Sequence, residues 1–221
     1  MNITPPPFVK VINGIWCLAG DNSITSEIGI AQSLTWDKTF QDVINRLQAS
    51  DRSGYVIDIG AYIGDSSAWF TRAGFPTIAF ECQRDAFLCL TRNCPECMAF
   101  NFPVGNGEHV YINTQQAGNL GARSVAQAIH SGTVATLRID DLAIEKVALI
   151  KIDVEGWEPN VLLGAVETIR RCKPLVLVEV NPAALEKSGF SEKDIYYHFD
   201  GWKREEIFRY YDENWDIMFT P

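Results

Sequence analysis

From Tyr55 to Val180, short runs rich in β-branched residues alternate with stretches of helical periodicity, and this alternation constrains the fold more than any other feature of the chain. Tyr55 to Ile59 reads as a strand, and Ser66 to Ala73, which follows two glycines, as a helix. The cycle repeats with Thr77 to Glu81 as a strand, Asp85 to Arg92 as a helix and Met98 to Phe102 as a strand. Further on, Val147 to Asp153 reads as a buried strand and Pro159 to Arg171 as one helix, whose apolar face carries Val161, Leu162, Ala165, Val166 and Ile169. Leu175 to Val180 is apolar almost throughout, as a strand covered on both faces must be. Repeated strand and helix units of this kind predict an α/β fold, a doubly wound and mostly parallel sheet.

The remaining segments are less regular. Gly105 to Gly132 is rich in Gly, Asn, Gln and Ser and reads as an irregular insertion holding one short strand at His109 to Asn113. Thr133 to Ile139 reads as a returning strand and Asp140 to Ile144 as a helical turn. Thr39 to Leu47 has helical periodicity and can cover the sheet, whereas the tail from Ser191 predicts a helix and a last strand at Trp215 to Phe219. The expected organisation is a cover segment over 1–54 and the α/β domain over 55–221, in one compact body.

A net charge of −9 opposes nucleic-acid phosphates, since that binding needs clustered Lys and Arg. The longest apolar stretches, such as Lys146 to Val154, fall short of the roughly 20 residues of a membrane span. Met1 to Pro7 lacks the basic start and apolar run of a secretory signal. These features predict a cytoplasmic enzyme with neither nucleic acid nor membrane as partner. The six cysteines read as reduced thiols; Cys94 and Cys97 are the one suggestive pair, with no spacing that supplies further zinc ligands.

Chemistry concentrates at strand ends. Asp58-Ile59-Gly60-Ala61-Tyr62-Ile63-Gly64-Asp65 joins the first strand to its helix, and Gly60 and Gly64 allow a sharp turn and close approach of a ligand at the carboxyl edge. The spacing is not the Gly-x-Gly-x-x-Gly of a dinucleotide cradle, which argues against NAD, and a plain strand-to-helix connection would read the same way. Glu81 closes the second strand about 20 residues after Gly60, where cofactor domains hold ribose hydroxyls. Lys151-Ile152-Asp153-Val154-Glu155-Gly156 brings two acids out of a buried strand, where Asp153 can steady a cationic cofactor, take a proton or cap the next helix. Glu179 faces the same edge.

Val56 to Gly64 (VIDIGAYIG), Phe80-Glu81 with Phe87, Leu90 and Asn93, Leu137 to Leu142, Ile150 to Gly164 (IKIDVEGWEPNVLLG) and Leu177 to Val180 together resemble the FkbM-type S-adenosylmethionine-dependent methyltransferases. The resemblance spans Gly14 to Val180 and implies a class I, Rossmann-like methyltransferase fold with S-adenosyl-L-methionine as cofactor. It implies Gly60, Gly64 and Glu81 around that cofactor and Asp153 and Glu155 lining the transfer site. Asp58, Ala61, Tyr62, Asp65, Ser66, Cys82, Asn101 and Asp153 complete the candidate cofactor set, Glu179 joins the candidate catalytic acids, and no metal ligand is assigned. The implied acceptor is a hydroxyl of a sugar, glycan or other small natural product. Tyr62 stands where the family commonly has Asn, and Cys82 where Pro commonly follows the acid. Trp16 and Asp21 resemble the family's lead-in segment, which would cover the pocket.

Two other readings stay open. A metal-assisted O-methyltransferase would use Asp153 with Glu155 or Asp140 as hard oxygen ligands. A non-catalytic nucleotide-binding module would hold a glycan or protein partner on the aromatics Tyr196, Tyr197, Trp202, Tyr210, Tyr211 and Trp215, which suit both stacking and packing. His109 and His130 are weaker candidates for a base.

Overall fold

The computed structural model of the protein describes residues 6–7, 9–12, 14–21, 40–50, 52–112, 125–127, 133–210 and 213–221. Two short strands, β1 (Val9–Ile12) and β2 (Ile15–Leu18), form an antiparallel hairpin and precede a helix, α1, over 40–49. The repeating core begins with β3 (Tyr55–Ile59), α2 (Asp65–Arg72), β4 (Thr77–Phe80), α3 (Arg84–Asn93) and β5 (Met98–Phe100). A small sheet of β6 (His109–Ile112), β7 (Val125–Gln127) and β8 (Val134–Ala135) follows, with a 3-10 turn at Ile139–Leu142. The core resumes with β9 (Val147–Ile152), α4 (Glu158–Leu163), α5 (Val166–Cys172) and β10 (Leu175–Val180). Helices α6 (Pro182–Lys187) and α7 (Glu192–Tyr196) lead to a hairpin of β11 (Lys203–Tyr210) and β12 (Asn214–Thr220).

The main sheet has the order β11-β12-β10-β9-β3-β4-β5. β12 runs antiparallel to both of its neighbours, and all other pairs are parallel. The core chain starts at the central β3, moves outward through β4 and β5, and returns to the other side of β3 at β9. That reversal opens a crevice at the carboxyl ends of β3 and β9, the place where open α/β sheets take ligands.

Successive strand residues point to opposite faces, so a strand covered on both sides is apolar at nearly every position, with charge confined to Asp58, Lys151 and Glu179 near the carboxyl ends. On one face Ile57, Ile150, Val176 and Val178 pack with Val161 and Leu162 of α4 and Ile169 of α5. On the other, Val56, Leu149, Leu175 and Leu177 meet Phe40, Val43, Ile44 and Leu47 of α1 and Phe70 of α2. The N-terminal helix expected to cover the sheet therefore does so.

Three expectations need correction. The single helix from Pro159 to Arg171 is two, because Gly164 is pinned at the break: a Cβ there would lie 1.9 Å from the Gly105 carbonyl oxygen, and the Asp140 amide donates to the Gly164 carbonyl at 3.0 Å. The strand expected over Thr133 to Ile139 shrinks to Val134–Ala135, after which Thr136 turns inward and its Oγ1 accepts from the Gly107 amide. The tail holds a two-stranded hairpin where one strand was expected; Lys203, Arg204, Glu205 and Glu206 mask β11, an edge strand carrying charge on its open side. All six cysteines are free thiols. Among the described residues no helix is long and apolar enough to cross a membrane.

Candidate active site

The turn after β3 is built against the ends of its two neighbours. The amides of Gly60 and Ala61 both donate to the Phe80 carbonyl at 3.0 Å, and the Asp153 amide donates to the Ile59 carbonyl at 3.0 Å. Gly60 has φ +79, and a Cβ on it would lie 1.7 Å from the Asp153 carbonyl oxygen. The room that this glycine makes is thus filled by the backbone of β9's carboxyl end, which ties the turn to the acid. Gly64, at φ +88, faces the side chain of Leu90 on α3.

Tyr62 continues the turn with left-handed backbone at φ 48, a conformation that costs a non-glycine residue about 1–2 kcal/mol. Asn visits it more readily, which gives the Tyr-for-Asn departure a physical meaning. Two contacts hold Tyr62: its amide donates to Glu81 Oε2 at 2.9 Å, and its hydroxyl donates to the buried Asp21 carboxylate. Trp16, from the same lead-in segment, exchanges backbone hydrogen bonds with the Asn93 side chain, which also donates to the Ile63 carbonyl at 2.7 Å. The segment therefore clasps the outside of the turn.

Glu81 is almost wholly buried at the end of β4. Its Oε1 accepts from the Gln83 amide at 2.7 Å, and the Asn101 side chain donates to its backbone carbonyl at 2.7 Å. Burial pushes its pKa up to about 7 despite the two amides and Lys151, which pull the other way. Cys82, beside it, is held above the ordinary thiol range, first by burial and then by the Glu81 charge.

Behind the turn lies a buried ionic knot. Asp58 Oδ2 accepts from the hydroxyls of Ser66 and Ser67, both at 2.6 Å, and Asp58 Oδ1 lies 3.4 Å from Lys151 Nζ. Lys151 also reaches Asp153 Oδ2 at 3.4 Å and the Gly60 carbonyl at 3.4 Å. Burial acts to lower the Lys151 pKa, but Asp58, Asp153 and Asp65 outweigh it and keep the ammonium charged. Asp58 and Ser66, expected on the cofactor, spend these groups on each other and brace the turn from the interior. Asp65, which opens α2, is raised above the carboxylate range chiefly by burial.

Asp153, Glu155 and Glu179 come together at the carboxyl edge of β9 and β10, with one carboxylate oxygen of each within 4.8 Å of the others. Asp153 follows the last residue of β9 two places after Lys151, so the period of two sets both on one side, where they touch. Glu155 sits in left-handed backbone at φ 57, and burial followed by Asp153 and Glu158 lifts its pKa to about 8. Glu179 is raised well above the usual range, again by burial and then by Asp153 and Glu155. Sequence reasoning missed Glu158. Its Oε1 accepts from the amides of Val154 and Gly156 at 3.1 Å, shaping the loop that carries Asp153 and Glu155. Its place three residues after Glu155, at the start of a helix, was the available signal.

Other candidates lie elsewhere. Asp140, weighed as a metal ligand, accepts from the amides of Glu167 and Thr168 at 3.2 and 2.8 Å and so serves the start of α5. Trp215 pairs with Val180, so its ring lies on the sheet face opposite Glu179, packed against the core there and under the guanidinium of Arg209. Tyr196, Tyr197 and Trp202 gather with Phe199 and Phe219 toward the opposite end of the sheet, since Phe219 pairs with Val176. His109 is exposed, whereas His130 and Tyr211 fall outside the described residues.

Residues 58–210 match the family model of the methyltransferase FkbM domain. The solved structure of an FkbM methyltransferase from Methylobacillus flagellatus KT aligns with a TM-score of 0.55 at 17% identity, over 76% of this chain and 44% of that one. The present chain thus spans less than half of that relative's length. Magnesium protoporphyrin IX methyltransferase from Synechocystis PCC 6803, solved with bound SAM, aligns with a TM-score of 0.51 at 11% identity, over 90% of this chain and 84% of that one. Its complex with SAH gives a TM-score of 0.52 over 89% and 87%. At such identities the likeness establishes the doubly wound fold of class I methyltransferases. No curated protein matches the sequence.

Proposed function

Because the chain belongs to the methyltransferase FkbM domain family, we propose that it moves a methyl group from S-adenosylmethionine to a hydroxyl oxygen of a sugar, glycan or other small natural product. The observation that carries this reading is Glu81: a buried carboxylate, 21 residues after Gly60 and tied to the glycine turn through the Tyr62 amide. A carboxylate has about four acceptor sites, and two amides use two of them, which leaves capacity for a pair of ribose hydroxyls. The residues therefore fit a nucleoside cofactor. Gly60, Ala61, Tyr62 and Gly64 would flank it, with Cys82 and Asn101 beside the nucleoside.

When bound, S-adenosylmethionine supplies an electrophilic methyl group on a sulfonium centre. Asp153 lies where its charge can oppose that centre and where its free oxygen can accept from the attacking hydroxyl. Lys151, held by Asp58, fixes the other Asp153 oxygen and with it the rotamer. Holding the acceptor oxygen at near-attack distance supplies much of the rate by itself, so orientation by Asp153 takes precedence over a strong base. Glu155 and Glu179 border the same space.

The test is incubation with S-adenosylmethionine and a panel of sugars and glycans, with S-adenosylhomocysteine release and the position of the new methyl group both measured. An O-methyl ether is expected. Transfer to nitrogen or carbon, or release of no S-adenosylhomocysteine with any acceptor, would contradict the proposal.

A further inference from the structure

The acidic group at the carboxyl edge is short of positive charge. Lys151 touches Asp153 but is shared with Asp58, and Lys187 bears on Glu155 only from a distance. Among the described residues no Lys or Arg nitrogen forms an ion pair with Glu155, Glu158 or Glu179, and Asp216 adds a further acid that presses on Glu179. Packing Glu155, Glu158 and Glu179 beside Asp153, whose one cation is shared with Asp58, is costly unless something neutralises them.

Two oxygens are left over in a telling way. Glu158 is 1% exposed, fixes Oε1 on two amides and leaves Oε2 buried with no hydrogen-bond partner. Its charge bears on both Glu155 and Glu179. Glu179 does the same: Oε1 accepts from the Asn214 side chain at 2.6 Å, and Oε2 is buried without a partner. One oxygen held by the protein and one left free is how ligating carboxylates are oriented. Glu155 is held in left-handed backbone, a strain that directs its side chain at this group and that the packing around it sustains.

We propose that Asp153, Glu155 and Glu179 bind one hard divalent cation of the Ca²⁺, Mn²⁺ and Mg²⁺ class, whose charge would also offset that of the neighbouring Glu158 carboxylate. Four points carry this: the donors are all oxygen, the set is anionic, it is partly open to solvent, and Glu179 within it and Glu158 next to it each keep a buried carboxylate oxygen without a partner. Two oxygens on one Ca²⁺ at about 2.3–2.6 Å can be at most about 5 Å apart. The separation of 4.8 Å or less meets that pairwise limit, and closing all three donors on one ion requires an inward movement of the side chains, larger for Mn²⁺ or Mg²⁺ than for Ca²⁺. The ion would present open positions to an acceptor oxygen and lower its proton affinity. That use rests on the methyl-transfer reading, but binding of the ion does not.

The whole chain, freed of metal, is titrated with Ca²⁺ and with Mn²⁺ by calorimetry, in the absence of S-adenosylhomocysteine. One ion per chain is expected, with affinity reduced at least about tenfold in Glu179→Gln and in Glu155→Gln and unchanged in Asp140→Asn. Thermal unfolding guards against trivial misfolding: Glu179→Gln relieves repulsion, so its metal-free Tm should equal or exceed that of the wild type while its gain on adding Mn²⁺ disappears. The proposal is overturned if neither ion binds, or if both acid variants bind as tightly as the wild type. S-adenosylhomocysteine binding is measured separately without metal, so a failed cation site and a failed methyltransferase reading give different results.

Discussion

Gly60 is where the cofactor turn and the acid strand become one object, and replacing it by alanine tests that coupling. The structure supplies a ladder of three glycines with nearly the same backbone. Gly189 has φ +83 with nothing within 4 Å of a would-be Cβ, so Gly189→Ala measures backbone strain alone, about 1–2 kcal/mol. Gly64 has φ +88, and its nearest obstacle is the Leu90 Cδ1 at 2.6 Å, the far end of a flexible side chain. Gly60 adds to the same strain a 1.7 Å approach to a backbone carbonyl that is itself fixed by β9. Relieving that clash means parting β3 from β9, an overpacking cost of about 1–3 kcal/mol, so Gly60→Ala should lose about 2–5 kcal/mol in all. That is a large part of the roughly 5–15 kcal/mol that holds a domain together. Urea unfolding reads the loss as a lower midpoint at constant slope. The reasoning is refuted if Gly60→Ala is no less stable than Gly189→Ala.

The remaining expectations concern single acids. Burial lifts Glu81 from 4.5 to about 7, so the folded state holds its proton more tightly than the unfolded chain; the stability this contributes is full below about 4.5 and is lost as pH rises to about 7, a window that Glu81→Gln should abolish in pH-dependent melting. Hydroxyls donate more strongly to an ionised carboxylate, so S-adenosylhomocysteine affinity should run the other way and rise as pH climbs through 7, and a flat profile would detach Glu81 from the ribose. Asp153→Asn keeps shape and removes charge: at saturating cofactor, turnover should fall at least about tenfold while S-adenosylhomocysteine binding stays near that of the wild type, and full activity would leave Asp153 a structural partner of Lys151. Asp140→Ala removes the acceptor for two amides of α5 and should cost about 1 kcal/mol in melting experiments with turnover unchanged; a loss of turnover would draw Asp140 into the site.

The fold was legible wherever burial dictates composition. β3, β9 and β10 lie inside the sheet between two layers of helices, so their residues must be apolar in both directions, and Leu175–Val180 carries that requirement in its sequence. The edge hairpin was harder to read because β11 needs only one covered face, and Lys203 to Glu206 look like a solvated loop. At the site, the offset from Gly60 to Glu81 and the alternation of Lys151 with Asp153 are local spacings and could be read directly. The meeting of Glu179 with Asp153 and Glu155 depends on the register of β10 against β9, a long-range pairing that no local spacing encodes. The glycines were legible as glycines, yet at Gly60 the atom that demands one belongs to Asp153, 93 residues away in the chain.

The most direct test of the central claim is a calorimetric titration of the wild-type chain with S-adenosylhomocysteine, with NAD titrated under the same conditions. The account predicts one S-adenosylhomocysteine per chain and no measurable heat from NAD, because the glycine turn lacks a pyrophosphate cradle and Glu81, the proposed ribose acceptor, has two acceptor sites beyond those taken by the Tyr62 and Gln83 amides. Saturable binding of NAD with none of S-adenosylhomocysteine would contradict it.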